Sequence, residues 1–330
     1  MGGEPGIVVG VDIGGTKTAV VLGRAQEERE IQIIDRQAFP TQSRGIGWRR
    51  VVEHVTTVAM ELLEKHGFDP HSIHSIGISC GGPLDSRSGR VLSPPNLPGW
   101  DNVPLTDELE RALGCRAYLQ NDANACALAE WKYGAGRGVS SMVFLTFGTG
   151  MGAGLILGGR LYEGVNDLAG EVGHIRLEED GPLGYGKRGS FEGFCSGGGI
   201  ARLARDLAER SLAAGEPVAF CPDTRSLDLI TTQAVGQAAE AGDPLAIEVL
   251  AKSGRYLGKG LSILIDVLNP ERIVIGSIFV RCERFLRPAM EREIGVEALA
   301  PAARVCAVVP AALGESLGDY ACLSVAMQGS

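Results

Sequence analysis

The sequence lacks any Cys-x-x-Cys pair, although it holds eight cysteines in 330 residues. Scattered at positions 80, 115, 126, 195, 221, 282, 306 and 322, they read as reduced, mostly buried thiols and not as a disulfide framework. No run is rich in lysine or arginine, and the formal net charge is -9, which argues against a nucleic-acid partner. No apolar run reaches the length of a membrane span, so no membrane partner is expected. The N-terminal MGGEPGIVVG has no basic segment followed by an apolar one, so no signal peptide is expected and a cytoplasmic location is the default. What remains is ordinary globular composition, 45% hydrophobic and 22% charged, in a chain too long for one ordinary core. Two domains are expected.

Along the chain, Ile7–Ile13 is a β-branched run ending in Gly14-Gly15-Thr16-Lys17. A second apolar run, Thr18–Gly23, follows at once, and Ile31–Phe39 reads as a third strand, giving a hairpin with a glycine turn and an antiparallel partner. Residues 46–66 have helical spacing and stop at Gly67. Residues 75–79 read as a buried strand, 80–100 as a loop rich in Gly, Pro and Ser, and Thr106 as the cap of a short helix. A strand over 117–120 and a helix over 123–133 follow. The opening pattern then recurs: strand 142–147, glycine turn 148–154, strand 154–157. From Ser196 to Leu268 helices dominate; 272–276 and 305–309 read as buried strands, and 317–327 as a closing helix. Such alternation indicates an α/β protein of two related units with a cleft between them. The expected limits are 1–118 and 119–311, with 312–330 packing back on the first unit.

The segment LTFGTGMGAGLILGG places Gly148, Gly150, Gly152 and Gly154 at alternate positions of an apolar run, where glycine weakens a strand. A Walker loop does not fit: Thr16 stands where the lysine should be, and a strand follows instead of a helix. A dinucleotide fingerprint over Gly148, Gly150 and Ala153 fails because it too should open a helix. A hairpin turn that offers bare backbone N–H groups can instead hold phosphate oxygens, with the hydroxyls of Thr16, Thr146 and Thr149 beside them. Two such turns, one per unit, could grip one nucleotide from both sides. Two ordinary tight hairpins are the alternative.

Asp12-Ile13-Gly14-Gly15-Thr16-Lys17 resembles the first phosphate loop of sugar kinases of the actin/hexokinase/Hsp70 superfamily. Asn121-Asp122-Ala123-Asn124-Ala125, Gly148-Thr149-Gly150-x-Gly152 and Glu171-Val172-Gly173-His174, in that order, resemble the ROK family of bacterial-type sugar kinases and repressors. The resemblance runs over nearly the whole chain and implies two ribonuclease-H-like domains closing around a sugar and ATP. It implies that Asp122 takes the proton of a sugar hydroxyl during phosphoryl transfer, and a helix cap is that residue's ordinary role. Asp12 would orient Mg²⁺ through water, or simply cap the turn. Lys17 would approach phosphate or be a solvated turn residue. Gly14, Gly15, Thr16, Thr146, Gly148, Thr149, Gly150 and Gly276 complete the nucleotide set. Gly82, Asn96, Asn121, Glu171, His174 and Glu192 resemble the sugar-binding positions. Singly, Asn96 could be a turn residue, Glu171 a solvated loop charge and Glu192 a helix-start charge.

Two departures stand out. Members of this family follow the histidine with three cysteines that, with it, bind a structural zinc; here those positions hold Leu183, Tyr185 and Ser190. Leu183, Tyr185 and Phe191 suggest apolar packing of the loop in place of the metal. Ser277 stands where a second glycine usually follows the strand near the nucleotide base. The resemblance implies an ATP-dependent hexokinase acting on O6 of glucose, in a homodimer or larger homo-oligomer. An N-acetylhexosamine kinase is the alternative. A sugar-binding regulator is disfavoured, because only six residues precede Ile7 and no basic footprint is present. With Leu183 lacking a donor atom, Tyr185 a poor ligand and Ser190 a hydroxyl, fewer than four good zinc ligands remain. Elemental analysis of protein purified without chelator is expected to find no stoichiometric zinc. Stoichiometric zinc, with activity lost on chelation and restored by zinc alone, would contradict this.

Overall fold

In a computed structural model describing residues 6–26, 30–41 and 47–329, two five-stranded sheets repeat one strand order. The first contains β1 (Ile7–Ile13), β2 (Lys17–Ala25), β3 (Ile31–Pro40), β4 (Ile73–Cys80) and β5 (Arg116–Asn121), in the order β3-β2-β1-β4-β5. β1, β4 and β5 pair in parallel, while β2 pairs antiparallel with both β1 and β3. The second contains β6 (Met142–Leu145), β7 (Ala153–Leu157), β8 (Arg160–Leu161), β9 (Arg272–Ile275) and β10 (Ala307–Pro310), in the order β8-β7-β6-β9-β10 with the same directions. The fold is a pair of ribonuclease-H-like α/β domains, as the recurring strand–glycine turn–strand pattern implied.

Helix α1 (Trp48–Lys65) buries Val51, Val55, Val58 and Leu62, spaced three and four apart, in the core of the first sheet. Ile46, where the sequence reading began this helix, lies outside the described residues. Helix α2 (Leu105–Leu113) follows the short strand Val103–Pro104. Thr106 lies inside that helix and its hydroxyl faces Gly89 O at 3.4 Å, so it is not the cap. In the second domain α4 (Gly197–Ala213), α5 (Thr232–Glu240), α6 (Pro244–Leu268) and α7 (Ile278–Glu297) cover the sheet with a larger apolar core. β10 is an edge strand of exposed and half-buried residues, not a buried one. Residues 300–305, part of which the sequence suggested as strand, are helical.

Two helices lie between the sheets: α3 (Asp122–Tyr133) and α8 (Leu317–Ala326). α8 packs on β1 and β4, and α3 packs on α8, β6 and β7. Glycine permits these approaches. Gly10 and Gly77 are register partners, and a Cβ on Gly77 would overlap the Ala326 backbone. A Cβ on Gly154 would stand 2.5 Å from Ala123 O and from Ala127 Cβ.

Glu130, fully buried near the end of α3, fastens this middle layer. Its carboxylate accepts from the backbone N–H of Ala135 at 2.7 Å, Ala312 at 3.0 Å and Leu313 at 2.9 Å. It thus joins the exit of α3 to the segment leading into α8. Glu130→Ala leaves those three backbone donors without their acceptor. Urea unfolding should show a loss of about 3 kcal/mol or more; a change under about 1 kcal/mol would contradict the assigned role.

Candidate active site

The parallel strands of the first sheet end on one edge. The register aligns Asp12, Ser79 and Gln120 in one row, and Ile13, Cys80 and Asn121 in the next. Ligands of α/β sheets sit beyond such carboxyl ends. Asn121, not Asp122, caps α3: its side chain accepts from Asn124 N at 2.9 Å. Asp122 is the first helical residue, with Oδ1 on Ala123 N at 2.8 Å. Protein walls around Asp122 raise its pKa by desolvation, while its carboxylate stays open to the cleft.

Asp12 is half-buried. Burial, and then the charge of Asp122, push its pKa up to about 6, against a lowering hydrogen bond from Ser79. Asp319, in the first turn of α8, adds to the repulsion and is itself paired with Arg36 at 2.7 Å. A carboxylate cluster of this kind is unfavourable when charged and suits a cation held through water.

The loop after β4 folds over this edge. Leu97 and Trp100 are fully buried and anchor it, leaving Asn96 exposed immediately before Leu97. A Cβ on Gly15 would lie 2.5 Å from Asn96 O, one on Gly81 3.1 Å from Asn96 Nδ2, and one on Gly82 3.9 Å from Asn121 Nδ2. Gly82, Asn96 and Asn121 thus converge beside the first glycine turn. That turn is closed by Gly14 N donating to Lys17 O at 3.0 Å, with Thr16 and Lys17 exposed.

The second domain contributes the facing wall. Burial raises the pKa of Glu171, with His174 lowering it and Asp122 and Glu192 raising it, so Glu171 lies within electrostatic reach of all three. Glu192 Oε2 accepts from Met151 N at 3.0 Å and lies 2.9 Å from where a Gly150 Cβ would stand. Gly150 therefore faces the Glu192 carboxylate. Thr146 Oγ1 accepts from Gly152 N at 2.9 Å and orders the same loop. Gly148, with exposed Thr149 after it, lies beside the segment leaving β9: its Cβ would be 3.6 Å from Ser277 Oγ, and Gly276 N donates to Leu145 O at 3.0 Å. Ser277 has φ of 56°, a conformation natural to glycine and disfavoured for serine.

Several contributors were missed by sequence reasoning. Gly197 N, at the start of α4, donates to Gly148 O at 2.7 Å, bringing a helix N-terminus to the glycine loop; the signal was the Ser196 cap before three glycines. Asp167, with φ of 59°, accepts from Ser86 N at 2.9 Å and Ser86 Oγ at 2.7 Å, tying the domains together. Gln120 Nε2, near the end of β5, donates to Glu163 in the segment after β8.

The loop after His174 differs from expectation. Leu183 and Tyr185 are exposed, and only Phe191 is buried. Hydrogen bonds hold the loop instead: Leu177 N to Gly189 O, Phe191 N to Ile175 O, and Gly193 N to Ser190 Oγ, the cap of the short helix Phe191–Phe194. Short strands cannot bury alternate side chains when one face meets solvent. The donor set does not fit zinc, since Cys195 is buried with its thiol on Ser253 O at 3.4 Å. Among the described residues, no three His, Cys, Asp or Glu side chains form a metal-binding group.

Duplicated ribonuclease-H-like sheets with acidic strand ends on one side and glycine loops on the other define an actin-like phosphotransferase fold. A sequence profile described as "ROK family" matches residues 8–326. A "Glucokinase" of Halalkalibacterium halodurans is 33% identical over 270 residues, covering 81% of this chain and 79% of that protein. A ROK family glucokinase from Streptomyces griseus, solved with glucose and AMPPNP, superposes with a TM-score of 0.74 at 29% identity, covering 98% of this chain and 100% of the other. A ROK family transcriptional regulator, a homolog of the Escherichia coli MLC protein, gives 0.83 at 26% identity, covering 98% of this chain and 78% of the other. The chain belongs to the ROK family.

The carboxylate row gives a test without substrate. Because the folded pKa of Asp12 is about 6 and the unfolded value 3.8, the folded state binds more protons in that window, so stability falls as pH rises through it. Asp12→Asn should raise stability by about 1–3 kcal/mol above pH 6 and by nothing below about pH 4. Thermal unfolding at both pH values checks this. A destabilised variant at pH 7.5 would contradict the account.

Proposed function

We propose that the chain is an ATP-dependent hexose kinase that transfers the γ-phosphoryl group to the 6-hydroxyl of a hexose, glucose foremost. The observation that carries this reading is Asp122, a cleft-facing carboxylate of raised pKa beside Asn121, Asn96 and the Glu171–His174–Glu192 wall. As the sugar oxygen attacks phosphorus, its proton passes to the Asp122 carboxylate; the new O–P bond forms as the bond to the β,γ-bridging oxygen breaks and ADP leaves. A base whose pKa lies nearer neutrality takes that proton more readily.

Asn96, Asn121, Glu171, His174 and Glu192 would hold the sugar hydroxyls, with Gly82 allowing close approach. Gly14, Gly15, Thr16, Lys17, Thr146, Gly148, Thr149, Gly150 and Gly276 would line the ATP site. Asp12 would hold Mg²⁺ through water, and the ion would offset phosphate charge. We take 1–118 and 119–311 as the domain limits, with 312–330 returning to the first. The working form is read as a cytoplasmic homodimer or larger homo-oligomer; among the described residues no helix is long and apolar enough to cross a membrane. An N-acetylhexosamine kinase is the second reading, favoured by the replaced residues Leu183, Tyr185 and Ser190 close to the sugar wall.

ADP release over a panel of glucose, mannose, fructose, allose, N-acetylglucosamine and N-acetylmannosamine assigns the substrate. In Asp122→Asn, turnover should fall by about two to four orders of magnitude with hexose binding kept, the range for losing a general base. Near-normal turnover would remove Asp122 from the chemistry.

A further inference from the structure

We infer that Tyr185 is a positioning residue that fixes the ring of His174, and so sets the affinity of the cleft for a polyhydroxylated ring. The inference rests on the hexose-kinase reading and deepens it.

Leu183–Gly184 and Lys187–Arg188 form a two-stranded hairpin whose connecting residues are Tyr185 and Gly186. Both have positive φ, 42° and 77°. Positive φ at both central residues is the geometry of the tight hairpin turn that Asn, Asp and Gly adopt readily and that a Cβ-bearing aromatic resists. Burial does not compensate the tyrosine, which is 69% exposed. Its ring instead stands edge-on to His174, with centroids 5.1 Å apart and planes at 87°. That is a favoured aromatic arrangement. Two residues on, Lys187 Nζ donates to His174 O at 2.6 Å. The hairpin therefore grips His174 by both side chain and backbone.

His174 needs such a grip. It is exposed at the end of the short turn Val172–His174, beside Glu171, whose carboxylate senses its charge. An exposed imidazole samples several rotamers, and ordering it on binding costs affinity. A ring already held by Tyr185 meets the sugar in place. A disfavoured backbone kept at the rim of a cleft is where such a constraint is expected. The strain belongs to the hairpin and the benefit to the sugar site, so folding and binding should respond oppositely to one substitution.

The test compares Tyr185→Gly and Tyr185→Phe in the full chain, using steady-state kinetics, thermal unfolding and the His174 imidazole resonances. Tyr185→Gly should raise the hexose KM about 2- to 10-fold with the ATP KM as in the wild type. Its melting temperature should be equal or higher, since glycine relieves the turn. Its His174 resonances should lose the displacement caused by the neighbouring ring. Tyr185→Phe should behave as the wild type in all three. An unchanged hexose KM in Tyr185→Gly, a KM rise accompanied by a lower melting temperature, or a Phe variant as impaired as Gly would each overturn the inference. A wild-type chain that phosphorylates no hexose would instead overturn the kinase reading and the sugar role with it. The imidazole resonances, read without substrate, would still decide whether Tyr185 holds His174.

Discussion

Two carboxylates of like charge, Asp12 and Asp122, are held within electrostatic reach at the ends of parallel strands, and much of the molecule is arranged around that repulsion. β1 supplies one and the junction of β5 with α3 the other, with β4 between them. Strands in a sheet lie about 4.8 Å apart, so residues two strands apart are brought within reach of one bound phosphate–cation assembly. The cluster is tempered by Ser79, which hydrogen-bonds Asp12, and by Arg36, which pairs with Asp319. A site that is unfavourable when empty and charged favours a ligand that brings positive charge.

The second constraint is the middle layer. α3 and α8 lie between two sheets of the same order, so the helix that presents Asp122 is also the helix that packs on β6 and β7. The Asp122 carboxylate is thereby fixed to both domains. Glu130 joins the far end of α3 to the start of α8, the Ser86–Asp167 contact joins the domains beside the cleft, and Gln120–Glu163 ties the end of β5 to the segment after β8. The alternating glycines divide their labour accordingly. Gly154 admits α3, Gly150 faces Glu192, and Gly148 meets the start of α4 through its carbonyl. None of the three has positive φ; close approach of backbone requires glycine at Gly154, whereas a Cβ on Gly148 would find only ordinary contact with Ser277.

The duplicated fold was legible because β-branched runs broken by glycine turns recur at Ile7 and Met142, and periodicity survives in sequence. The candidate site could be read as a set of motifs, yet its hydrogen bonding could not. Asn and Asp both cap helices, so sequence could not decide that Asn121 caps α3 and frees Asp122. Thr106 looked like a cap because a hydroxyl before acidic residues commonly is one; the helix instead begins at Leu105, with Pro104 in the cap position, two residues earlier. Leu183 and Tyr185 looked like substitutes for a metal because apolar residues usually bury, but a two-residue strand pair at the surface has no core to offer them. Contacts between residues far apart in the chain, such as Ser86 with Asp167, leave no local trace.

The central claim is that this cleft moves a phosphoryl group onto a hexose hydroxyl. Phosphorus NMR of the full chain with Mg-ATP and glucose tests it most directly, because it identifies the product and not merely the loss of ATP. The account predicts a hexose 6-phosphate resonance growing in step with ADP. ATP left intact over the whole panel of hexoses, or ADP formed with inorganic phosphate alone, would contradict it.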